Sequence, residues 1–215
     1  MYKFPNFTTV NIPSKHLEDL VDHFSSLPGI GKKTALRLVL NLLKRDEDEI
    51  KLFAHSLNNL HQNISSCKTC GNVSDSEICS ICIQNSRNKS LVCVVEDIRD
   101  IMAIESTEQY YGVYHVLGGV ISPMEGIGPA DLNISTLIDR VESGEIKEVI
   151  LALNASMEGD TTNFYLYRKL TGFNTKITTL SRGVAVGTEL HYTDELTLGR
   201  SIINRLPFDL DFSKK

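Results

Sequence analysis

The chain has 215 residues and a formal net charge of −5, with 41% hydrophobic and 23% charged residues. That length suits one large domain or two or three small ones, and the composition is that of an ordinary folded chain. The acidic balance argues against indiscriminate binding to nucleic acid, no apolar run is long enough to span a membrane, and the polar N-terminus carries no signal-peptide pattern. Any contact with nucleic acid must be local and belongs in the first third. Residues 1–66 carry eight Lys/Arg against seven Asp/Glu, while residues 83–215 carry thirteen against eighteen.

Residues 14–62 read as helical. Leu17, Leu20, Val21, Phe24 and Leu27 recur at three- and four-residue spacing, and Ser14 after Pro13 suits an N-cap. A break follows at Pro28-Gly29-Ile30-Gly31, and a second stripe carries Ala35, Leu36, Val39, Leu40 and Leu43. A third helix is expected to open at the acidic Asp46–Glu49 and to bury Ile50, Phe53, Ala54, Leu57 and Leu60. Between the first two helices, Gly29 and Gly31 allow a tight hairpin that can approach another molecule closely. The N–H groups opening the second helix then favour an anion, and Lys32, Lys33 and Arg37 surround that point. The arrangement looks like a helix-hairpin-helix, which grips nucleic-acid phosphates without reading bases. A plain helical corner with solvated lysines is the competing reading, and the Gly-Ile-Gly spacing beside lysines favours phosphate.

Cys67, Cys70, Cys79 and Cys82 come next, two CxxC knuckles separated by eight residues. Each knuckle brings two thiolates to one ion, and two knuckles complete a tetrahedral sulfur shell around Zn²⁺. Gly71 follows the first knuckle, where the turn needs a flexible residue, and Lys68 lies within it. The intervening loop, Gly71 to Ile78, is polar and too short for a core, so metal must hold it. Two disulfides are the alternative, but the spacing in an intracellular chain reads as zinc. With no open coordination position, one structural zinc per chain is expected, and a reducing cytoplasm is the simplest location. The fifth cysteine, Cys93, reads as a small hydrophobe in a buried strand.

After Ser90 the pattern changes. Strands are expected at Leu91–Val95, Val113–Leu117, Val149–Leu153 and Lys176–Leu180, with helices at Asp97–Thr107, Leu132–Val141, Thr161–Leu170 and Asp194–Asn204. This alternation implies a mostly parallel sheet with helices on its faces. Leu91–Val95 is continuously apolar, as a strand covered on both sides would be. The tails, Met1–Asn11 and Asp209–Lys215, are expected to be mobile.

Glu96 ends the first of these strands, where parallel sheets open their ligand crevice. The third runs into Leu151-Ala152-Leu153-Asn154-Ala155-Ser156-Met157-Glu158-Gly159-Asp160. This resembles a Toprim domain, the metal-binding module of topoisomerases, primases and some nucleases. Glu96 matches its first acid, and Glu158-Gly159-Asp160 resembles its last element. The two acids of its D-x-D pair are replaced by Asn154 and Ser156, weak ligands for Mg²⁺, which should cripple metal-assisted phosphodiester chemistry. Glu96, Glu158 and Asp160 stay as a possible weak Mg²⁺ site or crevice, with a surface carboxylate or an internal salt bridge the alternative for Glu96. The loop Gly118–Pro129 lacks a Lys-[Ser/Thr] pair, so it is no P-loop but a shaped interaction or crevice loop. His61 and His115 are not needed as ligands beside four thiolates.

In order, the Leu-Pro-Gly-Ile-Gly hairpin, the four cysteines, Tyr114–Gly119 and Ile121–Pro129 resemble the RecR family of bacterial recombination mediators, from about Leu17 to Arg205. The resemblance implies a multidomain α and α/β fold. It comprises a helical helix-hairpin-helix domain (1–66), a four-cysteine zinc module (67–83), a Toprim-like domain with a Gly-rich segment and C-terminal helix (84–205) and a tail (206–215). It also implies a non-enzymatic DNA-binding protein of recombinational repair. Such a protein acts with RecO- and RecF-like partners and assembles as a ring, a homo-tetramer or dimer, able to encircle DNA. The family's hairpin cations carry over to Lys33 and Arg37, beside Gly29, Gly31 and Lys32. A metal-dependent Toprim nuclease or primase is the alternative that Asn154 and Ser156 oppose. The chain departs from the family at Ala185 and Thr188, where Pro and Gly are usual, and at His191, where an acid is common. The resemblance implies that this segment helps subunits associate, so these departures bear on the stability of a ring.

Overall fold

The computed structural model describes residues 12–205 and Pro207. The expectations for the tails, residues 1–11 and 209–215, and for the His61 side chain lie outside the described residues. The chain divides into two compact units, Met1–Asn63 and Ile64–Lys215.

The first unit holds three helices: α1 (Lys15–Ser25), α2 (Lys32–Leu42) and α3 (Glu47–Asn63). Ser14 caps α1, accepting from Leu17 N at 3.5 Å. Val21, Ala35 and Val39 form a small core with Ile12, Leu17, Phe24, Ile30 and Leu36 packed around it. The expectation that α3 buries its apolar stripe is corrected. Phe53, Leu57 and Leu60 are 39%, 54% and 59% exposed, and Leu40 and Leu43 of the second stripe are also exposed. Ile50, Phe53, Ala54 and Leu57 instead line an open apolar groove of about 590 Å³ with Leu17, Leu20, Phe24 and Val39. Three short helices have too little interior to enclose every apolar side chain that the periodicity marks.

The second unit begins with the cysteine module: β1 (Ser65–Ser66) pairs antiparallel with β2 (Val73–Ser74), and a single turn, α4 (Ser80–Ile83), follows. Then come β3 (Asn88–Val95), α5 (Ile98–Glu105), β4 (Gly112–Val116), α6 (Ile134–Glu142), β5 (Glu148–Leu151), α7 (Met157–Leu170), β6 (Lys176–Thr179) and α8 (Glu195–Ile203). The last four strands form one parallel sheet in the order β4-β3-β5-β6. Alternation along β3 sends Val92 and Val94 to one face and Cys93 and Val95 to the other. Val92 and Val94 join Leu137 and Val141 of α6 and Leu166 and Leu170 of α7. Cys93 and Val95 join Ile101 of α5, Tyr114 and Val116, with Ile81 of α4 against them. Both faces are therefore covered, as the apolar run of β3 predicts, and each fully buried Val contributes about 1.5–3 kcal/mol.

Helix α7 starts at Met157, four residues before the expected Thr161, because Ser156 Oγ accepts from Gly159 N at 3.0 Å and caps it. Strand β4 lies at one edge of the sheet, and several of its polar groups are bonded outside the ladder. Val116 N donates to Cys70 O at 2.7 Å, Asn133 Nδ2 to Val116 O at 3.2 Å, and Arg87 Nη1 to Gly112 O at 3.2 Å.

Candidate metal centre and nucleic-acid hairpin

All four knuckle cysteines are buried and free. Their Sγ atoms lie within 4.8 Å of one another, with Cys70 Sγ 3.6 Å from Cys79 Sγ. Sulfurs placed tetrahedrally about 2.3 Å from a zinc stand roughly 3.8 Å apart, so the cluster fits one structural Zn²⁺. Backbone bonds shape each knuckle: Gly71 N donates to Cys67 O at 2.9 Å, Ile83 N to Cys79 O at 3.1 Å, and Cys79 N to Cys67 Sγ at 3.2 Å. Burial pushes the Cys67 thiol up, but N–H groups of Cys79, Cys70 and Thr69 more than offset it and hold it near about 6. Cys70 is driven up by its contact with Cys82 and then by burial. Four packed thiols thus oppose joint ionisation, and a divalent cation relieves that opposition. Gly71 turns at φ +75°, and a Cβ there would stand 2.8 Å from Asn133 Nδ2 and 3.0 Å from Val116 O.

At the hairpin, Ile30 N donates to Leu27 O at 3.1 Å, Gly29 turns at φ +79°, and Ile30 packs on the small helical core. Gly31 is the N-cap of α2 and offers no side chain, and the first turn holds no acid. The N–H groups of that turn therefore stay free for an outside acceptor. Lys32 is tied to Asp22 at 3.2 Å, whereas Lys33 and Arg37 have no ion-pair partner among the described residues. Lys33 and Arg37 share a shallow recess of about 400 Å³ with Leu36, Leu40, Asn41 and Lys44. Lys44, just past the C-cap Leu43 of α2, joins this recess as a third cation, which the periodicity of the stripe does not single out.

Glu96, Glu158 and Asp160 are not drawn into one ligand set. Among the described residues, the cysteines alone form a cluster of three or more metal-binding groups. Glu96 Oε2 accepts from Asn154 Nδ2 at 2.9 Å. Asp160 pairs with Arg182 and, at 3.6 Å, with Arg200 of α8, and the Arg182 bond holds its carboxyl below the usual range. Ser156 is spent as a helix cap, and Glu158 lies in the first turn of α7. His115 is fully buried, its Nε2 2.6 Å from Asn133 O.

Four family models match the chain in this order. They are RecR helix-hairpin-helix over residues 17–61, the RecR four-cysteine zinc finger domain over 64–83, Toprim domain over 90–181, and RecR C-terminal over 183–206. A curated relative, Recombination protein RecR of Parabacteroides distasonis, is 57% identical over 201 residues, covering 94% of this chain and 97% of its own length. The chain belongs to the RecR family. Recombination protein RecR of Bacteroides fragilis is 58% identical over 196 residues, 91% of this chain and 96% of its own length. That of Flavobacterium johnsoniae is 53% identical over 199 residues, 93% and 97%. RecR membership makes this a protein of recombinational repair, not an enzyme, with a non-catalytic Toprim domain. The RecR zinc finger spans all four clustered thiols. Among the described residues, no helix is long and apolar enough to cross a membrane.

Proposed function

We propose that the chain is a DNA-binding scaffold of recombinational repair. Its hairpin seats a phosphate on the open first turn of α2, through the backbone around Gly29 and Gly31, and Lys33 and Arg37 supply the flanking charge. Lys32 contributes less, because Asp22 already neutralises it. The observation that carries this reading is the uncapped, acid-free N-terminus of α2 beside two unpaired cations. Cys67, Cys70, Cys79 and Cys82 are the zinc ligands, and residues 1–66, 67–83, 84–205 and 206–215 are the working divisions.

Phosphate contacts carry no base information, so binding is sequence-independent. One chain offers few such contacts and carries a net charge of −5, so its own grip is weak. Assembly into a ring of several copies, a tetramer or a dimer, adds hairpins and raises affinity by multivalency. The unpartnered apolar groove of the helical unit supports association between copies. RecO- and RecF-like proteins are the partners that the family implies.

The test is a salt titration of DNA binding by wild type and by Lys33→Ala/Arg37→Ala on two unrelated sequences, with zinc content and oligomeric state confirmed. The double variant should lose affinity equally on both sequences. Its slope of log affinity against log salt should fall by roughly 0.7–0.9 for each phosphate that it no longer neutralises. An unchanged affinity and slope would place the DNA site elsewhere and favour a pure protein adaptor.

A further inference from the structure

Arg140 sits in the last turn of α6, where a solvated cation beside a helix C-terminus is the ordinary arrangement. Here it is partly buried and points to the sheet. Its Nη1 donates to Tyr114 O at 2.9 Å and lies 3.2 Å from His115 Nδ1, both on β4. It lines a cavity of about 190 Å³ together with Thr69 and Cys82 of the cysteine module and with Lys89, Ser143 and Glu145. Among the described residues no carboxylate, Glu145 included, lies within ion-pair distance of it.

His115 does not provide the missing negative charge. Its Nε2 carries the proton given to Asn133 O, which leaves Nδ1 to accept from Arg140. Burial pushes this imidazole down to about 4, so it is neutral at physiological pH. A partly buried guanidinium with neutral partners alone carries a desolvation cost that a nearby negative charge offsets. The thiol cluster is the remaining source of negative charge, since Zn²⁺ held by four thiolates is a net dianion. Arg140 and Cys82 line one cavity with Thr69, which lies between Cys67 and Cys70 in the first knuckle, and this brings the guanidinium to the thiol cluster.

We propose that Arg140 is the counter-charge of the tetrathiolate zinc centre and ties metal occupancy to strand β4 through the same guanidinium. It ligates nothing. It is a positioning residue whose charge offsets that of the loaded thiolate centre while its hydrogen bonds hold the strand on which the knuckles dock. Partners that orient and polarise metal ligands in this way are typically worth 10–100-fold in metal affinity.

The test compares zinc-loaded full-length wild type with Arg140→Gln, which keeps an N–H donor without the charge, and Arg140→Lys, which keeps the charge. Chelator competition gives zinc affinity and release rate, and Co²⁺ substitution gives the thiolate charge-transfer band. Arg140→Gln should bind zinc about 10–100-fold more weakly, with an altered Co²⁺ band, and Arg140→Lys should recover most of the affinity. Equal zinc affinity in wild type and Arg140→Gln would overturn the proposal. So would equal losses in both variants, which assign the effect to the hydrogen bonds. If Arg140→Gln does not fold, Arg140→Lys decides: zinc affinity close to wild type supports the counter-charge, and a loss of about 10-fold or more overturns it.

Discussion

At the residue scale, the Toprim positions show how a metal-binding constellation becomes scaffolding. Asn154 bonds Glu96, Ser156 caps α7, and Asp160 holds Arg182 and Arg200. Asp160 therefore anchors both the segment after β6 and helix α8. Its carboxyl titrates below its ordinary value, first because of Arg182, so its contribution is present above the unfolded carboxylate pKa of about 3.9 and fades as pH falls through the folded value. The side chain is 41% exposed, so solvent screening holds the effect to about 1 kcal/mol at most. Hydrogen exchange over residues 183–203 should accelerate in wild type as pH drops below about 4, after correction for intrinsic rates. Asp160→Asn should show fast exchange already at neutral pH and little further change. Equal protection in both proteins at neutral pH would remove the anchor role.

At the element scale, the two positive-φ glycines of the binding modules make opposite demands. Gly29 meets nothing within 4 Å of a built Cβ, so Gly29→Ala costs only the left-handed backbone, about 1–2 kcal/mol. Gly71 adds a collision with Asn133 and the β4 backbone, so Gly71→Ala should cost about 1–3 kcal/mol more and loosen the first knuckle. Thermal unfolding should rank wild type above Gly29→Ala above Gly71→Ala, with zinc retention reduced only in the last. The strands and most helices of the sheet unit were legible because β3 is apolar on both faces and α6 is strictly amphipathic. The knuckles were legible because metal ligation imposes spacing on sequence. The α7 start is masked in the sequence because Ser156 and Glu158 occupy Toprim ligand positions and at the same time form a capped first turn. The α3 stripe misled because periodicity marks an apolar face without saying that a neighbour covers it. Arg140, Arg182 and Arg200 were illegible in principle, since their partners lie on other elements and no local pattern brings them together.

At the scale of the whole molecule, the acidic balance and the basic hairpin are compatible because they occupy different stretches of chain. The net charge opposes loose adsorption to DNA, while the exposed pair Lys33 and Arg37 concentrates positive charge beside open backbone donors. The apolar groove of the helical unit and edge strand β4 of the sheet unit are two places, among the described residues, where the fold leaves bonding capacity toward other chains. The edge strand is the better guarded. Cys70 O takes the Val116 N–H, and Arg140, Asn133 and Arg87 take carbonyls of the same strand. An unguarded β-edge with residues such as Val113, Tyr114 and Val116 is a template for another chain. Chelated protein should therefore scatter light and gain intermolecular β-structure before its helical circular dichroism falls, and zinc added early should reverse the change. A chelated sample that stays monodisperse would assign the guard to Arg140, Asn133 and Arg87 without the knuckle. On this account the zinc knuckle is also a terminator of strand polymerisation, and metal starvation becomes a hazard of self-adhesion rather than a simple loss of fold.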